Sequence, residues 1–181
     1  GLILDLRDNG GGALTDAVQI SGLFLPGGPV VQVKDSQGGI RVLEDEDTDV
    51  AYSGPLVVLV NQFSASASEI LAAALQDYGR AFIIGGEHTH GKGTVQAMMD
   101  MNKNLPLLHL QKYDDLGALK LTIQKFYRVN GGSTQYKGVE PDLVVPSMFD
   151  YLETGEKYMD YSLPWDQVDR VDYSKWRGDR S

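Results

Sequence analysis

The sequence predicts one α/β domain built on a mixed sheet, and three features carry that prediction. Leu56-Val57-Val58-Leu59-Val60 and Ala81-Phe82-Ile83-Ile84 are apolar without polar alternation, the pattern of strands covered on both faces. Between them, the alanine- and leucine-rich stretch from Glu69 to Tyr78 is compatible throughout with a helix. Ala118 to Val129 alternates apolar and polar residues, which marks a long strand with one wet face. At 181 residues the chain is long enough for a single core that buries roughly 70% of its unfolded surface.

In chain order, Gly1-Leu2-Ile3-Leu4-Asp5-Leu6 begins directly inside a strand, as a piece of a longer protein would. Asn9-Gly10-Gly11-Gly12 then forms a glycine loop ahead of a helix that starts near Ala13 and runs to about Phe24. Leu25-Pro26-Gly27-Gly28-Pro29 stops that helix. Val30 to Lys34 and Ile40 to Val42 read as a hairpin around Ser36-Gln37-Gly38-Gly39. The acidic run Glu44 to Asp49 lacks the glycine and terminal glutamate of a calcium loop and reads as a solvated loop. Leu105 to Leu116 has no clear pattern. A short apolar strand ends near Val145, and from Phe149 onward both tryptophans and several tyrosines lie among acidic residues. The division that follows is a core over 1–148 and an aromatic, acidic extension over 149–181, which packs by its rings against the domain or its neighbours.

Composition narrows the function. A formal charge of −9 argues against a nucleic-acid partner, whose phosphates would be repelled, and is neutral about protein or peptide substrates. No apolar run approaches the ~20 residues that span a bilayer. The lack of cysteine excludes disulfides, thiolate metal sites and a cysteine nucleophile.

The chemistry centres on Phe63-Ser64-Ala65-Ser66-Ala67-Ser68-Glu69, where an apolar strand gives way to the alanine-rich helix. At such a corner Ser66 points its hydroxyl away from the sheet, beside the free N–H groups of the first helical turn, a geometry suited to acyl transfer. Ser66-x-x-Glu69 is equally a capping box, the commoner use of such a pair. A partner for Ser66 is offered by Gly91-Lys92-Gly93-Thr94-Val95-Gln96: a lysine whose neutral form is made accessible by burial is the usual base where serine is activated without histidine. If Lys92 to Gln96 is extended, residues 92, 94 and 96 share a face, and the Gln96 amide can hold the amine. With few apolar anchors, the glycine-rich loop predicts Lys92 as the least firmly held part of the site when neighbouring parts of the protein are missing, its amine out of hydrogen-bonding distance of the Ser66 hydroxyl or on a mobile loop.

The glycine loop admits two readings, an anion or oxyanion site at a helix N-terminus or a plain tight turn. Gly86-x-x-x-x-Gly91-Lys92 nearly makes a phosphate loop, but Gly93 stands where a magnesium-binding hydroxyl is needed. His88 and His90, with Glu87, are candidate metal ligands without a distant partner, or the base of a histidine triad.

Three blocks, Asp5-Leu6-Arg7-x-Asn9-Gly10-Gly11-Gly12, Ser64 to Glu69 and Gly91 to Gln96, together resemble the C-terminal processing peptidases, also called tail-specific proteases. The resemblance covers about residues 1 to 145, and Leu163-Pro164-Trp165-Asp166 is similar to the continuation in the long, Gram-negative branch. It implies a fold of stacked βα units like that of crotonases and Clp-type peptidases. It implies Ser66 as nucleophile, Lys92 as general base, Gln96 as its orienting partner, and Gly12 and Ala67 as oxyanion-hole donors. No metal or cofactor is required. The implied partners are proteins or peptides with accessible C-terminal tails, a PDZ domain of the same full-length chain and an adaptor lipoprotein. The implied compartment is the periplasm. The alternative on the same fold is a non-catalytic ligand- or peptide-binding module.

Overall fold

The computed structural model describes residues 1–104 and 116–178. The parallel and antiparallel strands expected of a mixed sheet are segregated into two four-stranded sheets. The first is parallel throughout and holds β1 (Leu2–Asp5), β4 (Leu56–Val60), β5 (Phe82–Gly85) and β8 (Leu143–Val144), in the order β1-β4-β5-β8. The second is antiparallel, with β2 (Gly28–Asp35), β3 (Ile40–Asp45), β6 (Thr94–Asp100) and β7 (Ala118–Tyr127) in the order β3-β2-β7-β6.

The two longer helices are α1 (Leu14–Gly22), which buries one face, and α2 (Ala67–Asp77), which lies at the heart of the molecule. α2 is buried from Ser68 to Leu75 because it is enclosed on two sides. Leu71, Ala72 and Leu75 pack on Val58, Val60 and Ile83 of the parallel sheet, and Ile70 and Ala74 join Val31, Val33 and Phe126 of the antiparallel one. Three consecutive alanines suit this position, since small side chains let both layers approach the helix axis closely. The remaining regular pieces are a helical turn, α3 (Met101–Asn104), and a 3-10 turn, Glu156–Tyr158.

Parallel pairing sets where the loops go. Asp5 lies beside Leu59, and Val60 beside Gly85, so β1, β4 and β5 all release their chains at one edge of the sheet. The glycine loop, the Ser66 corner and the segment leading to Lys92 therefore emerge side by side, at the carboxyl ends of neighbouring strands where open α/β sheets place their sites.

Most elements fall where the sequence puts them, with two adjustments. The acidic run is partly strand: β3 continues through Glu44 and Asp45, paired with Pro29 and Gly28, and only the residues beyond it form a loop. The patternless stretch from Leu105 lies almost entirely outside the described residues. The extension returns along the body. Tyr173 packs on Tyr78 with ring centroids 5.1 Å apart, and Trp176 lies 4.8 Å from the Arg80 guanidinium.

Candidate active site

Ser66 occupies the corner between β4 and α2 in a conformation that an ordinary cap does not use. Its φ of 58° and ψ of −115° contrast with the extended backbone of a normal N-cap. For a residue with a Cβ such a conformation costs on the order of 1–3 kcal/mol and persists only where the surroundings impose it. The Ser66–Glu69 pair forms a capping box: the Ser66 N–H donates to Glu69 Oε2 at 2.7 Å, and the Ser66 side chain faces the Glu69 N–H, which donates to the Ser66 carbonyl at 2.9 Å.

Both flanking serines are structural. Ser64 is fully buried; its hydroxyl donates to the Leu6 carbonyl at 2.7 Å and accepts the Asn61 N–H. The Ser68 hydroxyl reaches the carbonyls of Asn9 and Ala65, each at 2.7 Å. The Ala65 N–H also donates to the Asn9 carbonyl, so the glycine loop is stitched to the Ser66 corner at several points. Gly11 shows how close the two run. With φ of +98°, a Cβ there would lie 2.6 Å from the Ala65 carbonyl oxygen and 2.8 Å from Ser66 Cβ. Gly12 faces open space.

A cavity of about 240 Å³ collects Gly12, Ser66, Ala67, Lys92 and Gln96, the five residues singled out from the sequence. Leu14, Ile70, Val95 and Phe126 give it an apolar wall, and Lys120 adds a second amine at its margin. Among the described residues, neither the Gly12 N–H nor the Ala67 N–H has a hydrogen-bond partner, and both groups border the space next to Ser66. Ser66 and Lys92 both line this cavity. Beyond Lys92 the chain enters β6 rather than a helix, which removes the phosphate-loop reading.

The Lys92 loop is not loosely anchored, contrary to the expectation drawn from its glycines. Its anchors are polar. Glu69, fully buried on α2, accepts four hydrogen bonds: the Thr89 hydroxyl at 2.5 Å and the Gly91 N–H at 2.7 Å on Oε1, the Ser66 N–H at 2.7 Å and the Lys92 N–H at 3.0 Å on Oε2. One carboxylate oxygen thereby joins the backbones of Ser66 and Lys92. Burial pushes the Glu69 pKa up to about 7, against the opposing pull of its donors, the Thr89 hydroxyl foremost. Beyond Lys92, the Gly93 N–H donates to the Gln135 side chain at 2.8 Å, and the His90 N–H donates to the Ser64 carbonyl at 2.9 Å. Sequence reasoning gave Glu69 only a capping role and passed over Gln135, which sits in a turn-like run with no chemical signature.

The histidines are used locally. His88 Nδ1 lies 2.6 Å from the Thr89 carbonyl, and His90 Nε2 lies 3.9 Å from Glu156 Oε2. Burial holds the His90 imidazole below its ordinary pKa, partly offset by the Glu156 carboxylate. Among the described residues no three potential metal-ligating side chains of His, Asp or Glu converge.

Comparison with known proteins gives this geometry a lineage. Residues 1–145 match the model of peptidase family S41, and residues 149–179 match that of the C-terminal domain of tail specific protease. The chain is 54% identical over 172 residues to the tail-specific protease of Haemophilus influenzae, covering 95% of this chain and 24% of that protein. It is 38% identical over 144 residues to a carboxy-terminal processing protease of Bacillus subtilis, covering 79% of this chain and 28% of that one. Among solved structures, a photosystem II D1 C-terminal processing protease superposes with a TM-score of 0.66 at 35% identity, over 80% of this chain and 34% of the other. The chain spans about a quarter of the length of these curated relatives. It belongs to peptidase family S41, the family of the C-terminal processing and tail-specific proteases.

Proposed function

We propose that the chain is the catalytic segment of a serine endopeptidase that uses a Ser66/Lys92 dyad. The observation that carries the reading is the Ser66 corner itself, a strained backbone at a strand-to-helix turn whose residue lines a cavity together with Lys92. Strained strand-to-helix turns that expose a nucleophile recur in hydrolases for the same geometric reason.

In this mechanism the Ser66 Oγ attacks the scissile carbonyl carbon while the neutral Lys92 amine takes its proton. The Oγ–C bond forms, and the carbonyl π electrons move onto oxygen. The resulting oxyanion is received by the N–H groups of Gly12 and Ala67, the latter also at the positive end of the α2 dipole. Collapse breaks the C–N bond, and the departing amine takes the proton back from Lys92. Water then gives a proton to the Lys92 amine and attacks the acyl carbon, and as the C–Oγ bond breaks Ser66 Oγ takes that proton back, which releases the carboxylic acid and regenerates the dyad. Gln96 holds the Lys92 amine in line. Ser66 and Lys92 line one cavity, and catalytic hydrogen bonds tighten in the bound complex.

The substrate class is a polypeptide in extended form, unfolded or bearing an accessible C-terminal tail. A PDZ domain of the full-length chain and an adaptor lipoprotein are the proposed delivery partners, and the periplasm the proposed compartment, all by relation to the family. Ser66→Ala and Lys92→Ala in the full-length protein test the dyad: each abolishes cleavage of an unfolded substrate with the fold intact, and substantial turnover by either contradicts it.

A further inference from the structure

The extension beyond residue 148 does more than cover the body, since its first part lies against the two segments that lead into Ser66 and Lys92. On the serine side, the Phe149 ring meets Phe63 edge-on at 6.0 Å, and the Gln62 side-chain amide donates to the Phe149 carbonyl at 2.7 Å. On the lysine side, Gly155 approaches the His90 carbonyl so closely that a Cβ would lie 2.8 Å from its oxygen, and the Glu156 N–H donates to that oxygen at 2.8 Å.

The link runs through one buried amide. Gln135 is wholly inaccessible to solvent. Its Oε1 accepts the Gly93 N–H at 2.8 Å, and its Nε2 donates to Glu156 Oε1 at 3.0 Å and to the Leu163 carbonyl at 3.2 Å. The peptide that follows Lys92 is therefore tied, through a single side chain, to two points of the extension. An amide fits this place because it accepts at one end and donates twice at the other.

We propose that the segment 149–166 is a positioning element of the peptidase, acting through Glu156 and Gln135 to hold the Lys92 peptide in register with Ser66. This rests on the reading of Lys92 as base. Glu69 fixes the Lys92 N–H from within the domain, and the Gln135–Glu156 link fixes the next peptide from outside, so the two together set where the lysine side chain starts. An error of about 1 Å at such a position costs roughly 100-fold in rate.

The test uses the full-length protein, with kcat and KM on an unfolded substrate and the rate at which a serine-directed phosphonylating probe labels Ser66. Glu156→Ala and Gln135→Leu are expected to leave KM within about twofold while lowering kcat and the labelling rate by about 10- to 100-fold. Gln135→Glu, which sets two carboxylates against each other, is expected to lose as much. The exchange Gln135→Glu with Glu156→Gln restores the donor–acceptor pair between these two side chains but leaves the Leu163 carbonyl without its donor, and is expected to recover part of the rate lost in Gln135→Glu. Should a Gln135 variant fail to fold, Glu156→Ala decides alone. Undiminished kcat in folded Glu156→Ala, beside an inactive Lys92→Ala, overturns the positioning role and leaves the dyad standing. Turnover by Lys92→Ala overturns the dyad itself.

Discussion

At the scale of the residue, the site is held under strain that its own side chains impose. Ser66 has a backbone close to the mirror image of an extended one, which glycine adopts without penalty. Ser66→Gly is therefore expected to be about 1 kcal/mol or more stable than Ser66→Ala, with neither variant turning over substrate. Denaturant unfolding of the two side by side checks this, and the reverse ranking would refute the strain. Glu69 supplies a second residue-scale prediction. Its folded pKa of about 7 lies above its ordinary 4.5, so the folded state holds this proton more tightly than the unfolded one. The stability associated with the protonated form is full below pH 4.5 and is lost as pH rises to about 7, on the order of 3 kcal/mol in all. Glu69→Gln, which cannot ionise, lacks that slope. The stability gap between wild type and Glu69→Gln should shrink over this range; a constant gap in pH-dependent unfolding would show that Glu69 does not titrate there.

Between elements, function comes from three loops leaving neighbouring parallel strands and being sewn together by polar groups. Gly11 and Gly12 separate the packing requirement from the chemical one. Gly11→Ala forces a Cβ against the Ala65 and Ala67 backbone and the Ser66 Cβ at a positive φ, and is expected to destabilise by about 2 kcal/mol or more and to slow turnover. Gly12→Ala meets nothing within 4 Å and should fold with near-native stability. Thermal melting of the pair decides, and equal destabilisation would mean the close approach at Gly11 is relaxed in solution. This level also shows what a sequence reveals. β4 announces itself because burial leaves an apolar run in its residues, and Ser66 is legible because it stands between that run and the alanine-rich helix; β5 and β7 are found by their apolar and alternating residues, although Phe82 and the first six residues of β7 are exposed rather than covered. The anchors of the Lys92 loop are not legible. A buried carboxylate at the third helical position looks like a cap, and a buried amide in Ser133-Thr134-Gln135 looks like a turn, because what matters in both is a partner far away in sequence.

For the whole molecule, the extension makes two attachments with different consequences. Its first part touches the Lys92 loop, whereas its last part lies over the end of α2, where the Trp176 N–H donates to the Tyr78 carbonyl and its ring stacks near Arg80. Trp176→Ala is expected to lower stability by about 1–3 kcal/mol through lost aromatic and cation–π contact, while leaving kcat of the folded protein unchanged. A kcat loss in Trp176→Ala as large as that in Glu156→Ala would show that the extension acts as one rigid strap. The parallel sheet also keeps Ile3 and Phe82 exposed, 65% and 49%, in a chain that spans a quarter of its relatives' length. The central claim remains local, that one serine of three in Ser64-Ala65-Ser66-Ala67-Ser68 is activated by Lys92. Its most direct measurement is reaction of the full-length protein with a serine-directed phosphonylating probe, followed by mapping of the modified residue in wild type and Lys92→Ala. The account predicts label on Ser66 alone, and little or none when Lys92 is removed. Label on Ser64 or Ser68, or labelling of Ser66 at an unchanged rate in Lys92→Ala, would contradict it.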